Sequence, residues 1–135
     1  KGLKMSAISK FNAAANADTE SEHQIQLGLL KILRDALRDQ SDPVSIAEIL
    51  DELIAYTEAH FASEELLMRM KSYDDYEDHV EDHAHMMEVL QDIAAKYTAN
   101  HSSLAASKAD EVLAFVDNHI ATRDQRFADQ VRNGL

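Results

Sequence analysis

The chain has 135 residues and 45% hydrophobic content, enough for one domain around one core. Its formal net charge of −12 excludes a nucleic-acid partner and binding to anionic membrane, both of which need clustered Lys and Arg. The absence of cysteine removes disulfides, iron–sulfur clusters and thiolate ligands, and no apolar run approaches the ~18 residues of a membrane span.

The elements follow in chain order. Lys1-Gly2-Leu3-Lys4-Met5-Ser6 has no secretory apolar region, so the cytoplasm is the expected compartment. A start at Lys1 leaves open that the domain, taken as residues 1–135, is cut from a larger protein. Residues 1–18 show no helical period and read as an irregular N-terminal arm, with Ile8 and Phe11 packing across the body. Three Gly and one Pro then imply long helices. Leu27, Leu30, Leu33 and Leu37 recur at three and four, which predicts a helix over Ser21 to Arg38. Ser41-Asp42-Pro43 is a capping side chain followed by Pro at a first helical position. The helix it starts runs to about Met70, with Ile46, Ile49, Leu50, Leu53, Tyr56 and His60 on one face. After a break at Ser72-Tyr73-Asp74, a third helix runs to about Tyr97 through Tyr76, His79, His83, Met86, Leu90 and Ile93. A polar connector from Thr98 leads to a fourth, which carries Leu104, Val112, Phe115, Val116 and His119 and ends before Asn133-Gly134. Short connections between long helices favour antiparallel neighbours. The predicted fold is all-α, an up-down-up-down antiparallel four-helix bundle with an irregular N-terminal arm. No internal repeat or second domain is evident.

Four of these helices carry metal-ligand residue types at mid-length. They are His23; His60 with Glu64; His79 with His83; and His119 with Asp124. His60/Glu64 and His79/His83 are i, i+4 pairs, so each pair leaves one helix face. Imidazole suits iron, zinc and copper, and a carboxylate can bridge two ions. Five histidines and two carboxylates are too many for one ion and suit two. Unpaired, these groups would be costly among apolar neighbours. His119 and Asp124 are about 140° out of phase on a regular helix, so both reach one cluster only if the helix widens locally, as in a π-bulge. His85 lies about 200° round the helix from His83, and His101 sits in the connector; neither joins the set. The methionines read as core or surface filler.

The motifs Glu22-His23, His60-Phe61-Ala62-Ser63-Glu64-Glu65-Leu66-Leu67-Met68, Tyr73 to His83, and His119-Ile120-Ala121-Thr122-Arg123-Asp124 span nearly the whole chain. Together they resemble the bacterial hemerythrin family, a family that includes up-down-up-down bundles. The resemblance implies two iron ions with an oxo or hydroxo bridge. His79, His83 and His119 would hold one iron, His23 and His60 the other, and Glu64 and Asp124 would bridge. The second iron would keep an open position for O2, or for peroxide, nitric oxide or a small anion such as azide. Phe61, Phe115, Ile120 and Gln26 fall where the family lines its O2 pocket. Several of this chain's residues depart from the family pattern. Phe115 stands where a Trp is common, Tyr73-Asp74 replaces Tyr-Pro, the usual N-terminal Trp is missing, and Gln26 stands where Leu is typical. Gln26 either faces the open iron or turns to solvent while Leu27 fills the gap.

Five of the seven ligands are neutral, whereas ferritin-like sites are rich in Glu. Fewer anionic ligands stabilise high-valent iron less, which favours reversible O2 binding over O–O cleavage. No acid or base beyond the metal ligands is identifiable, so a binding module for O2 sensing, carriage or storage is the leading expectation. The alternatives are a redox-active di-iron enzyme acting as oxidase, peroxidase or on nitric oxide, and a regulatory domain of a signalling protein with a partner domain.

Overall fold

The computed structural model describes residues 7–133, which are helical apart from three short connectors. Helix α1 spans Ala7–Arg38, α2 Pro43–Met70, α3 Tyr76–Thr98 and α4 Ser102–His119. A π-turn over Ile120–Asp124 joins α4 to α5, Gln125–Arg132, which extends the fourth rod of the bundle.

Side-chain pairings show that successive helices run in opposite directions. Between α1 and α2, Glu22 meets His60 and Gln26 meets Thr57. Between α3 and α4, Asp82 meets His119 and Asp92 meets Lys108. In each case one number rises as the other falls.

The connectors explain how the chain turns so tightly. Asp42 caps α2 by accepting from the Ser45 N–H at 3.3 Å, with Pro43 in the first turn. Gln40, Ser72 and Asn100 adopt φ of 51°, 50° and 64°. This left-handed conformation ends a helix by sending an N–H back to an unsatisfied carbonyl, as Ser41 to Ala36, Tyr73 to Met68 and His101 to Lys96 do. None of the three is the Gly usual there.

The predicted core positions are mostly filled as expected. Leu30, Leu33, Leu37, Ile46, Leu50, Leu53, Met86, Leu90, Ile93, Val112 and Val116 are buried in one large cluster. Leu104 is instead exposed, and the small Ala105 and Ala109 take the inward positions of α4, letting the helices approach closely. A second, smaller cluster of Met68, Tyr73, Phe127 and Val131 closes the opposite end. The histidines and carboxylates lie between these two apolar layers.

The N-terminal segment differs from its expectation. Residues 7–18 are not an irregular arm but the first turns of α1, and residues 1–6 of that arm lie outside the described residues. Ile8 and Phe11 do not pack across the bundle; both are exposed. The anchors are polar. Buried Asn12 donates from Nδ2 to the Val131 carbonyl at 3.0 Å, and Asn16 donates to the Ala128 carbonyl at 3.0 Å. Lys71 Nζ donates to Asn12 Oδ1 at 2.7 Å. An i, i+4 pair of asparagines thus binds two carbonyls of α5, of which that of Val131, in the last turn, has no intrahelical partner. Replacing Asn12 by Ala should cost about 1–2 kcal/mol and roughly 4–8 °C in Tm, because it also strands the Val131 carbonyl. An unchanged melting temperature would show that this end of α1 is not docked.

Candidate metal centre

Each ligand-type side chain reaches the interior from its own helix. His23 comes from α1, His60 and Glu64 from α2, His79 and His83 from α3, His119 from α4, and Asp124 from the last position of the π-turn. All seven are buried, none more than 5% exposed. The structure brings every one of them into one cluster. The expected irregularity in the fourth helix is present: the Gln125 N–H donates to the Ile120 carbonyl five residues back. This widened turn brings Asp124 round to the face that His119 occupies.

The cluster has two parts that share a carboxylate. Glu64, His79, His83, His119 and Asp124 offer donor atoms within 4.8 Å of one another, and so do His23, His60 and Glu64. The two oxygens of each carboxylate face different ways. Glu64 Oε1 lies 3.3 Å from His79 Nε2 and 3.0 Å from His83 Nε2, while Oε2 lies 3.4 Å from His23 Nε2 and 3.8 Å from His60 Nε2. Asp124 Oδ1 lies 2.5 Å from His79 Nε2 and 3.0 Å from His119 Nε2, while Oδ2 lies 3.0 Å from His23 Nε2. Four buried side-chain atoms have no hydrogen-bond partner among the described residues: His60 Nε2, His83 Nε2, Glu64 Oε1 and His79 Nδ1. Buried polar atoms are costly unless something satisfies them. Three of these atoms, on His60, His83 and Glu64, belong to the cluster, and their nitrogen and oxygen chemistry fits a divalent or trivalent transition metal.

Three carboxylates that the sequence reading did not single out hold the outer ring nitrogens. Glu22 Oε1 is 2.5 Å from His60 Nδ1, Glu65 Oε2 is 2.7 Å from His83 Nδ1, and Asp82 Oδ2 is 3.0 Å from His119 Nδ1. With Nδ1–H donated outward, Nε2 is left as the inward lone pair, the tautomer a metal ligand needs. A signal was available: each carboxylate is the sequence neighbour of a ligand, Glu22 of His23, Glu65 of Glu64 and Asp82 of His83.

Around the cluster, the Phe61 ring lies flat on His83, with centroids 3.8 Å apart and planes at 2°. Phe115 and Ile120 are half-buried against the main core, and the Phe115 ring is 6.4 Å from that of His119. Gln26 does not turn to solvent; it is buried together with Leu27 and donates from Nε2 to Thr57 Oγ1 at 3.4 Å. His85 and His101 are exposed, as expected.

A bundle that buries a converging set of imidazoles and carboxylates between two apolar layers is a metal-binding helical protein. The Hemerythrin HHE cation binding domain matches residues 15–131, and the chain belongs to the hemerythrin family. It is 29% identical over 108 residues to a myohemerythrin of Theromyzon tessulatum, covering 80% of this chain and 78% of that one. It is 26% identical to bacteriohemerythrins of Pseudomonas paraeruginosa, over 86% of this chain and 74% of that one, and of Aquifex aeolicus, over 90% and 94%. No solved structure gives a significant match.

Without metal, protons bind the cluster. Burial opposes charge on His23, but hydrogen bonds that the charged imidazole donates to Asp124 and Glu64 outweigh it and push the imidazole up to about 10. The same balance pushes His79 up to about 9. Burial opposes ionisation of Glu64 and Asp124 too, yet hydrogen bonds from the histidines hold both carboxyls below their usual range. The raised histidines stabilise the metal-free fold fully below their unfolded value of about 6.5, and that contribution is lost as pH rises through 9 to 10. The depressed carboxylates stabilise it above about 4, and that contribution is lost on acidification. The Tm of chelated protein should therefore peak between about pH 4.5 and 6.5 and fall towards pH 9.5. A melting temperature flat from pH 6 to 9.5 would contradict this charge assignment.

Proposed function

We propose that the chain is a non-heme di-iron protein that binds O2 reversibly, as a sensor, carrier or store. The observation that supports this best is the split of the two carboxylates: Glu64 Oε1 and Asp124 Oδ1 face only His79, His83 and His119, while Glu64 Oε2 and Asp124 Oδ2 face only His23 and His60. An ion beside Glu64 Oε1 and Asp124 Oδ1 would be held by His79, His83 and His119. An ion beside Glu64 Oε2 and Asp124 Oδ2 would be held by His23 and His60, one donor fewer. Iron bound there would supply a redox-active pair with an oxo or hydroxo bridge and one position left for O2, peroxide, nitric oxide or a small anion such as azide.

The helix directions indicate which side that position faces. Glu64 lies one turn beyond His60, and Asp124 lies beyond His119, both towards the Lys71–Asp75 end. Gln26 and Thr57 lie one turn from His23 and His60 towards the opposite end, with Phe115 one turn before His119. The carboxylates close one side, and Gln26, Thr57, Phe61, Phe115 and Ile120 would border the other. The phenyl rings of Phe61 and Phe115 and the branched side chain of Ile120 would limit water there, which protects a reduced centre. Gln26 and Thr57 break that apolar wall with an amide and a hydroxyl. This polar pair favours a second reading within the same chemistry, a centre that oxidises readily and so suits a redox-responsive domain or oxidase better than a store.

Protein made with sufficient iron should carry about two irons per chain, the count that suits a five-histidine, two-carboxylate set. One tightly bound zinc and no visible absorption would end the di-iron reading. Gln26→Leu keeps similar volume and removes the polar group. The reduced variant should oxidise in air more slowly than the parent, followed by its visible absorption, because a drier wall protects the centre. Equal or faster oxidation would remove Gln26 from the pocket's chemistry.

A further inference from the structure

Arg123 sits inside the π-turn, one residue before Asp124, and its side chain points away from the cluster. Its Nε lies 2.7 Å from Asp82 Oδ2, the oxygen that also holds His119 Nδ1 at 3.0 Å. Its Nη1 lies 3.2 Å from Asp75 Oδ2. Asp75 precedes α3, Asp82 lies two turns into it, and Arg126 also pairs with Asp75 at 3.2 Å. One guanidinium therefore bridges two levels of α3 from the outer side of the widened turn.

Two features of the centre depend on this place. The first is the phase of Asp124. A π-turn is rare and is less favourable than continued α-helix, so an outside tether at the residue next to Asp124 resists its reversion. The second is the carboxylate on His119. Glu22 and Glu65 hold His60 and His83 with no lysine or arginine in ion-pair distance among the described residues, whereas Asp82 is shared with a cation. Asp82 is therefore held on two sides, by the guanidinium and by the imidazole, so Arg123 helps to fix the carboxylate that orients the His119 ring.

We propose that Arg123 is a positioning residue of the metal centre, clamped between Asp75 and Asp82 so that Asp124 faces inward and the carboxylate that orients His119 stays in place. The assignment rests on the metal-binding reading above, but not on the identity or number of the ions. Arg123 is partly exposed, at 37% of its side chain, and Asp82 and Asp75 are at 23% and 20%. Ion pairs of that exposure contribute little to global stability. A purely structural role would therefore leave metal handling unchanged.

The test compares Arg123→Gln and Arg123→Lys with the parent as full chains. Metal loss to an excess of chelator is timed on whichever metal the parent retains. In parallel, the metal-free proteins are melted and amide exchange is followed across Ile120–Gln125. The glutamine variant should lose metal about tenfold faster, the scale typical of losing a group that orients a metal ligand. Amide exchange in the π-turn should speed up, with the metal-free Tm nearly unchanged. The lysine variant keeps the charge but not the fork that reaches both aspartates, so it should recover only part of the retention. Parental metal loss and exchange in the glutamine variant would overturn the proposal. So would loss that accelerates only in step with a lowered metal-free Tm. A parent that holds one zinc would overturn the di-iron reading, while the comparison of loss rates still decides the role of Arg123.

Discussion

Seven metal-ligand side chains are buried in the middle of a small bundle, and three of their inward atoms lack a hydrogen-bond partner. Burying one such group without a partner costs several kcal/mol; His60 Nε2, His83 Nε2 and Glu64 Oε1 are left so at one point. A domain whose whole stability is of order 10 kcal/mol cannot carry that arrangement without a counterpart. Protons offer a partial one, which is why His23 and His79 are pushed up to about 10 and 9 while the carboxyls they face are held low. Metal offers a fuller one. The apolar layers on either side, one around Leu30, Leu53, Met86 and Val112 and the other around Met68, Tyr73, Phe127 and Val131, keep water from being the third.

The way the shell is stapled follows the order of the chain. A carboxylate beside α1's ligand holds the histidine of α2, one beside α2's ligand holds a histidine of α3, and one beside α3's ligand holds the histidine of α4. Residues adjacent in a helix point about 100° apart. When the ligand faces the bundle axis, its neighbour faces the next helix. Repeating that pattern with one hand links each helix to the following one through the imidazole it positions. The same contacts that choose the tautomer also fix helix rotation, so the geometry of the centre and the packing of the bundle are not independent.

The helices from Ser21 onward were legible because apolar side chains recur on one face and Ser41-Asp42-Pro43 and the polar connectors mark their ends. The pairs His60/Glu64 and His79/His83 were legible from spacing, His23, His119 and Asp124 only from their coincidence with those pairs in the motif, and the phase conflict between His119 and Asp124 implied the widened turn. The start of α1 was not legible, since its anchors are Asn12 and Asn16 bonded to carbonyls of α5, and apolar periodicity is blind to polar docking. The outer carboxylates were passed over for a related reason. On a chain of net charge −12, an acidic residue beside a ligand looks like one more solvated surface group. Only the placement of the neighbouring helix turns Glu22, Glu65 and Asp82 towards an imidazole.

The π-turn links the two ends of the molecule. It carries Asp124 into the cluster, places Arg123 against α3, and leads directly into α5, two of whose carbonyls receive Asn12 and Asn16 from α1. A displacement of Asp124 would therefore be felt along α5 and at the N-terminal turns of α1. Those turns carry the exposed Ile8 and Phe11. In a regular helix such a shift would be absorbed by the ladder of i→i−4 bonds. In a π-turn that ladder is interrupted, so the phase of Asp124 depends on the contacts that hold the turn from outside, those of Arg123 with Asp75 and Asp82. The turn that brings Asp124 to the cluster thus also joins the centre to α5 and, through Asn12 and Asn16, to the start of α1.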